Sequence, residues 1–331
     1  MNDIIQSLLL SCSQIEFGEV NISEGEKDFF REWNNELILL CNSLPESIRT
    51  DALLFLMKYL KTPLTGELNF FRFVYVPTWS IIYWLIQCVS TDKGMAEKDI
   101  KNAITGHSMA VFLHHLDHQI TDNGLPATHL ALLIRSHSWV IMNNAFKSLT
   151  NGVRGGRAIV QSSVDDYYSG ICNSAQVQTL DDYCDLFRKQ MATWLVVPVI
   201  LAKKITRDKK FAGVVRMAYE SFGIAWRLLD DIQDLQSDMR SGKKSSLYIC
   251  LPETVRSHWE QSDKTNLNKR FDCERIVLEY IVQAKVVNRL KEKIYSELEL
   301  AACVVDEYGM TALADELRSL SRSLPTGRRR V

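Results

Sequence analysis

Apolar positions recur along most of this chain at spacings of three and four, the period of a helix with one buried face. The segment Asn21-Ile22-Ser23-Glu24, with Gly25 and Glu26, reads as a cap before a helix carrying Phe29, Phe30, Trp33, Leu37 and Leu40. Pro45, Pro63 and Pro77 punctuate the next stretch, and residues 79–89 are apolar on nearly every face, which predicts a buried helix. The pattern predicts a helix over 95–122, stopped by Asn123-Gly124-Leu125-Pro126, and another over 127–149 before the Gly-rich loop 151–156. Thr179 with Asp182 opens a helix expected to run past Trp194, kinked at Pro198. Helices are expected over 209–239, ended by Ser241-Gly242, then one or two over 264–308 and a last one over 310–320. Period-2 runs, repeats and Pro/Ser-rich linkers are absent. The expected architecture is all-α: a single domain over 1–323 of roughly ten helices, with a frayed basic tail at 324–331.

Composition supports this. Only 15 Gly and 7 Pro occur in 331 residues, too few turns for a many-stranded β protein. Hydrophobic residues at 46% and charged residues at 24% exclude a disordered chain. A net charge of −1, from 39 basic and 40 acidic residues, provides no field for nucleic acid, so no nucleic-acid partner is expected. The longest apolar stretches fall short of the ~20 residues of a membrane span. None of the 8 cysteines forms a CxxC pair, which argues against a zinc knuckle or a thioredoxin-type site. The N-terminal stretch lacks a basic region and carries early acids, so the expectation is a cytoplasmic protein with free thiols.

The chemistry concentrates in Ile224-Ala-Trp226-Arg227-Leu-Leu-Asp230-Asp231-Ile-Gln-Asp234. On a helix Asp230 and Asp234 share a face, with Asp231 about 100° away. Leu228, Leu229 and Ile232 hold that helix in the core. Crowded carboxylates on an otherwise apolar helix repel one another unless a cation neutralises them, and hard oxygen ligands suit Mg²⁺ shared with substrate phosphates. The plain alternative is a solvated acidic helix end near Asp238. Beyond it, the basic loop Arg240-Ser-Gly-Lys243-Lys244 is placed to hold a diphosphate, or is an ordinary cationic helix C-terminus. A facing acidic site is expected at His114-His115-Leu116-Asp117-His118, with Thr121 on the face of Asp117 and Asp122 at the helix end. The three histidines fit neither ExxH nor HExxH, so they are expected in the core or behind the acids rather than on a metal.

Asp230-Asp231-Ile-Gln-Asp234 followed by Gly242-Lys243 resembles the second aspartate-rich motif of the isoprenyl diphosphate synthases, of the class I isoprenoid synthase superfamily. The resemblance covers roughly residues 65 to 250. It places the first motif at Asp117-His118-Gln-Ile-Thr121, where only Asp117 matches strictly. It implies Mg²⁺ on Asp117, Asp122, Asp230, Asp231 and Asp234, a prenyl diphosphate substrate, and a homodimer. The departures are specific. The family's early GKxxRP signal is reduced to Asn69-Phe-Phe-Arg72 through Pro77, and its Arg-Arg-Gly is absent. Its Lys-Thr pair maps onto Gln190-Met191, after Lys189, and its Phe-Gln onto Trp226-Arg227. The pattern is closer to the divergent branch that includes the moenomycin-type farnesyltransferases, and to class I terpene cyclases.

The expected reaction is ionisation of an allylic prenyl diphosphate with Mg²⁺, through Asp117, Asp230, Asp231 and Trp226. Arg227, Lys243, Lys244, Gln190 and Lys189 are the diphosphate-binding candidates, and Phe112 and Trp194, with Trp226, the cavity aromatics. Cyclisation of the cation is the leading expectation. The alternatives are transfer to an acceptor other than isopentenyl diphosphate, with Arg227, Arg154 and Arg157 holding an anionic acceptor, or a divergent isoprenyl diphosphate synthase. A catalytically dead helical scaffold is the reading from another class.

Overall fold

A computed structural model of the chain describes residues 2–63, 67–88, 95–121, 124–172, 177–206, 208–262 and 267–324. These contain sixteen α-helices, one 3₁₀ turn and no strand. Three helices open the chain: α1 Asn2–Ser13, α2 Glu24–Asn42 and α3 Glu46–Tyr59. Ser23 and Glu26 close a full capping box on α2. The buried helix is α4 Pro77–Gln87, and it leads to α5 Glu97–Thr121, α6 His129–Leu149 and α7 Gly156–Cys172.

The expected helix through Trp194 is broken. It ends as α8 Leu180–Gln190, passes through the 3₁₀ turn Ala192–Leu195, and restarts as α9 Val196–Ile205. Pro198 therefore lies in the first turn of a new helix, where its missing N–H is not needed, instead of kinking a long one. The next helix is likewise two: α10 Lys209–Gln233 and α11 Leu235–Ser241 meet at Asp234. Gly242, at φ 71°, ends α11 in the left-handed region that glycine adopts without strain. The remainder is α12 Ser246–Ile249, α13 Glu253–Ser262, α14 Leu267–Gln283, α15 Val286–Asp306 and α16 Thr311–Ser321. Short helices account for the excess over the expected ten, because a single apolar turn carries no period.

One hydrophobic core runs from Cys12 to Leu324. α10 packs along α15 and α9, while α5 packs along α6 and α2. α5 and α10 thus face one another, and Trp194 of the 3₁₀ turn bridges them, with ring centroids 4.7 Å from His114 and 5.7 Å from Trp226. The segment before α4 is stapled to α2 by Asn34. Its Nδ2 donates to the Leu68 carbonyl at 2.6 Å and its Oδ1 accepts from the N–H groups of Phe70 and Phe71. α7 crosses the end of α8 at Gly170, where a Cβ would lie 2.8 Å from the Gln190 backbone nitrogen. All eight cysteine thiols are free, and no described helix is long and apolar enough to cross a membrane. Beyond Leu324 the basic tail lies outside the described residues.

α16 docks onto α4 through a buried carboxyl. Ser80 Oγ donates to Glu316 Oε2 at 2.5 Å and Trp84 Nε1 donates to Oε1. Burial is the main force that pushes Glu316 up to about 8, and the nearby Glu26 adds to it against the two hydrogen bonds. Its protonated form is the one the fold favours, so its contribution is complete below the ordinary 4.5 and is lost as pH rises through about 8. Denaturant melts across that window are expected to show stability falling with pH, and Glu316→Gln to flatten the slope; an unchanged slope contradicts the assignment.

Candidate active site

Three connected chambers border α5: two lie between α5 and α10, and the third between α3 and α5. The central one, of 560 Å³, is lined by His114, His115 and His118 of α5, Trp194, and Trp226, Arg227 and Asp230 of α10, with Asp234, Asp238 and Lys243 beyond. A smaller one of 200 Å³ shares His114, His118, Phe187, Arg227 and Lys243 with it, and adds Asp117, Tyr167 and Lys244. A third of 710 Å³ meets the central chamber at Phe73, His115 and Gln119.

The geometry of α10 separates the two adjacent aspartates. Asp231 is fully buried and points away from the central chamber. Its Oδ2 accepts from Tyr183 Oη at 2.7 Å and from the Ser246 N–H at 2.9 Å, and its Oδ1 lies 3.2 Å from Arg227. Arg227 Nε donates to the Tyr183 hydroxyl at 2.8 Å. Burial is the largest single effect and opposes the guanidinium charge, but Asp231, Tyr183 and Asp230 together outweigh it and hold the Arg227 pKa well above its ordinary value. This four-group network joins α8, α10 and the loop into α12. It uses Asp231 as an anchor rather than as a group facing the chamber, because burial of that carboxylate demands partners for its oxygens.

Asp230, Asp234 and Asp238 follow one another at four-residue steps and all line the central chamber. Burial raises Asp230 to about 6 and Asp238 to about 7, and raises Asp234. In each case neighbouring carboxylates add to the rise, while Lys243 and Arg227 oppose it. Asp238 is 3% exposed and its Oδ2 is buried without a hydrogen-bond partner, while Oδ1 lies 3.7 Å from Lys243 Nζ. Hard oxygen donors, mutual repulsion and an orphan buried oxygen on one wall fit a divalent cation. Among the described residues no three His, Cys, Asp or Glu converge closely enough to cage an ion by themselves. The fit is therefore to an ion shared with phosphate oxygens, the usual habit of Mg²⁺.

The opposite wall departs from expectation. Arg135 of α6 grips Asp117 with two hydrogen bonds, Nη2 reaching Oδ2 at 2.8 Å and Nε reaching Oδ1, and Tyr167 of α7 donates to Oδ2 at 2.6 Å. Asp122 lies outside the described residues. The histidines, expected in the core or behind the acids, form the wall itself. Burial lowers the pKa of His114 and His115 to about 4 and drives His118 far below its ordinary value, with Arg227 and Lys243 adding to the latter, so these imidazoles are neutral at pH 7. His114 Nδ1 lies 3.0 Å from the Gln190 carbonyl.

The remaining predicted residues divide. Trp226, Trp194 and Arg227 line the central chamber, Lys243 lines both it and the smaller one, and Gln190 and Lys244 line the smaller one. Lys244 also pairs with Glu260 at 3.1 Å. Phe112 does not line a chamber: it is fully buried, since positions 111, 114, 115 and 118 face the cavity and 112 sits about 100° from 111. Lys189 is exposed and lines none of the three. Arg154 and Arg157 are also exposed, far from the role expected of them. The cations of the third chamber are instead Lys58, Lys61 and Arg72. Lys61 terminates α3 in the left-handed region at φ 52°, an uncommon conformation for lysine. Sequence reasoning missed Lys58 and Lys61 because lysines at a helix C-terminus are ordinary. The continued four-residue step to Asp238 was the available signal for that residue.

No protein-family model matches the chain and no curated relative is found by sequence. Solved structures do match in shape. A geranylgeranyl pyrophosphate synthase from Corynebacterium glutamicum aligns over 97% of this chain and 100% of its own, at 12% identity and a TM-score of 0.66. A heptaprenyl diphosphate synthase from Staphylococcus aureus aligns over 91% and 99%, at 13% identity and 0.67. A Caulobacter crescentus polyprenyl synthase, complexed with calcium and isoprenyl diphosphate, aligns over 90% and 95%, at 13% identity and 0.61.

The opposed roles of Asp230 and Asp231 are testable by stability. Asp231→Ala, which strands Arg227, is expected to cost about 3–5 kcal/mol, whereas Asp230→Ala is expected to change stability by less than about 1 kcal/mol. Chemical denaturation measures both, and the reverse order contradicts the orientation of α10. The chain has the all-α fold of the class I isoprenoid synthases, the fold of the isoprenyl diphosphate synthases.

Proposed function

We propose that this protein is a prenyltransferase: it releases pyrophosphate from an allylic prenyl diphosphate in the central chamber and joins the prenyl group to an anionic acceptor held in the third. The observation that carries this reading is the third chamber, lined by Lys58, Lys61 and Arg72 with no acid among the described residues, and open to the central one beside Phe73 and His115. Cyclisation, the leading expectation from sequence, leaves that cationic chamber without a task. The structural neighbours' names describe a geranylgeranyl pyrophosphate synthase and a heptaprenyl diphosphate synthase.

Mg²⁺ fits Asp230 and Asp234, and when bound supplies the charge that makes diphosphate a good leaving group. The residues of the chain do the rest. Arg227 and Lys243, common to the central and smaller chambers, grip the diphosphate oxygens. Trp194, Trp226 and Tyr75 present ring faces and edges to the hydrocarbon; Tyr75 meets Trp226 at 5.6 Å, edge-on. Each aromatic face turned to a developing carbocation contributes about 0.5–2 kcal/mol. The neutral histidines keep the wall uncharged, and a wall of rings and imidazoles excludes the water that would quench the cation. Lys58, Lys61 and Arg72 orient the acceptor so that its nucleophile meets the prenyl carbon near Phe73.

The test is incubation with geranyl, farnesyl and geranylgeranyl diphosphates and Mg²⁺, with and without isopentenyl diphosphate and other anionic acceptors, reading pyrophosphate and organic products. Pyrophosphate release is expected to depend on an acceptor. Arg72→Gln is expected to raise the acceptor KM about tenfold, the loss of one charged hydrogen bond, and to leave the KM for prenyl diphosphate within about twofold. Acceptor-independent release with a cyclic hydrocarbon product would establish cyclisation instead, and no release from any substrate would leave the scaffold reading.

A further inference from the structure

The third chamber holds more than charge. A row of rings lines it, from α3 to the place where it meets the central chamber. Phe55 and Tyr59 stack with centroids 5.9 Å apart and planes 18° from parallel. Tyr59 meets His115 at 5.6 Å, and His115 stacks on Phe73 at 4.4 Å. We propose that the acceptor bound here is an aromatic compound bearing a phosphate group, its ring laid along this row and its phosphate on Lys58, Lys61 and Arg72. The proposal rests on the prenyltransferase reading above and names the acceptor of that same site.

The rings argue for an aromatic occupant. Phe55, Tyr59, Phe73 and His115 are each only partly buried, so the core does not consume their surfaces. The Tyr59 hydroxyl donates to the His115 backbone carbonyl at 3.2 Å, which ties one ring of the row to the helix that carries the next. Leu60, Leu125 and Pro126 add apolar surface to the same chamber. Rings in such a wall meet another ring in offset or edge-on contact, a gain that an aliphatic group of equal size does not make. The chamber, at 710 Å³, has the size of pockets that bury whole drug-sized ligands. A five-carbon acceptor leaves most of that space and most of the row unused.

The cations argue for phosphate. Lys58, Lys61 and Arg72 bring three positive charges to the lining, with no acid among the described residues. That excess suits the double negative charge of a phosphate ester better than the single charge of a carboxylate, and the arginine fork matches two phosphate oxygens. Lys58 and Lys61 stand at the α3 end of the row, beside Tyr59, whereas Phe73 and His115 are shared with the central chamber. A phosphate at the α3 end therefore sets the acceptor's ring between itself and the prenyl carbon. An electron-rich ring is also the nucleophile. In the transfer the allylic C–O bond breaks, its electron pair leaving with diphosphate. A π pair of the ring forms the new C–C bond, and the proton displaced from that ring carbon passes to the released pyrophosphate.

Titration calorimetry of the full chain tests this with phenyl phosphate and cyclohexyl phosphate, which differ in the ring alone, and with isopentenyl diphosphate as a third probe. Phenyl phosphate is expected to bind about fivefold tighter than cyclohexyl phosphate. Phe55→Leu and Tyr59→Leu are each expected to bring the two probes within about twofold of one another. Tyr59→Phe, which keeps the ring, is expected to retain the preference, so that loss of the row is told apart from loss of the fold. Arg72→Gln is expected to weaken both probes alike, about tenfold. Equal affinity for the two probes, or a preference untouched in both leucine variants, overturns the aromatic acceptor. The prenyltransferase reading then still stands if isopentenyl diphosphate binds and Arg72→Gln weakens it. Probes that do not bind at all, or that bind Arg72→Gln unchanged, overturn both.

Discussion

A single buried carboxylate sets the geometry of this site. Asp231 is removed from water within α10 and must find its partners inside the protein. Tyr183 comes from α8, the Ser246 N–H from the start of α12, and Arg227 from one turn earlier on α10 itself. Each partner belongs to a different segment of the site, so satisfying one charge fixes three of them together. With Asp231 turned inward, the neighbouring face of α10 and α11 is turned into the chamber, and Asp230, Asp234 and Asp238 go with it. The same anchor pins the short loop that carries Lys243 and Lys244. The acidic wall and the basic loop are consequences of one desolvated ion pair.

The chambers divide chemical labour along lines of charge. Asp230, Asp234 and Asp238 line the central chamber, and the two cations, Arg227 and Lys243, sit where it overlaps the smaller one. Rings and neutral imidazoles make the opposite side. Among the described residues, the third chamber is lined by positive charge without acids. In the proposed reaction, a cation formed in the central chamber would face rings and neutral imidazoles on one side, while an anion in the third chamber would be held at its edge. This separation supports the proposed joining of two molecules over the rearrangement of one.

The sequence made the fold class legible because helical periodicity is a property of long segments. The capping boxes at Ser23 and Thr179 were readable one residue at a time. The breaks at Met191 and Asp234 were not, since both interrupt helices whose apolar pattern runs straight through. In the site, Asp230, Asp234, Trp226, Trp194, Arg227 and Lys243 stand together as the motif implied. Asp231 and Phe112 went astray for a common reason: a neighbour one residue away on a helix points about 100° elsewhere, and only tertiary packing says which of the two faces the cavity. The partners of Asp117 come from α6 and α7, which no spacing along α5 announces. Lys58, Lys61 and Arg72 are brought together by the turn after α3, a long-range arrangement with no periodic signature.

The central claim is that a prenyl diphosphate sits with its charge between Arg227 and Lys243 and its hydrocarbon against Trp194 and Trp226. A crystal structure with a non-reactive thiolo analogue of farnesyl diphosphate measures this directly. The account predicts phosphate oxygens within hydrogen-bonding distance of both cations and the prenyl chain along the two indoles. An analogue bound with its diphosphate on Lys58, Lys61 and Arg72, or with its chain outside the central chamber, would contradict it.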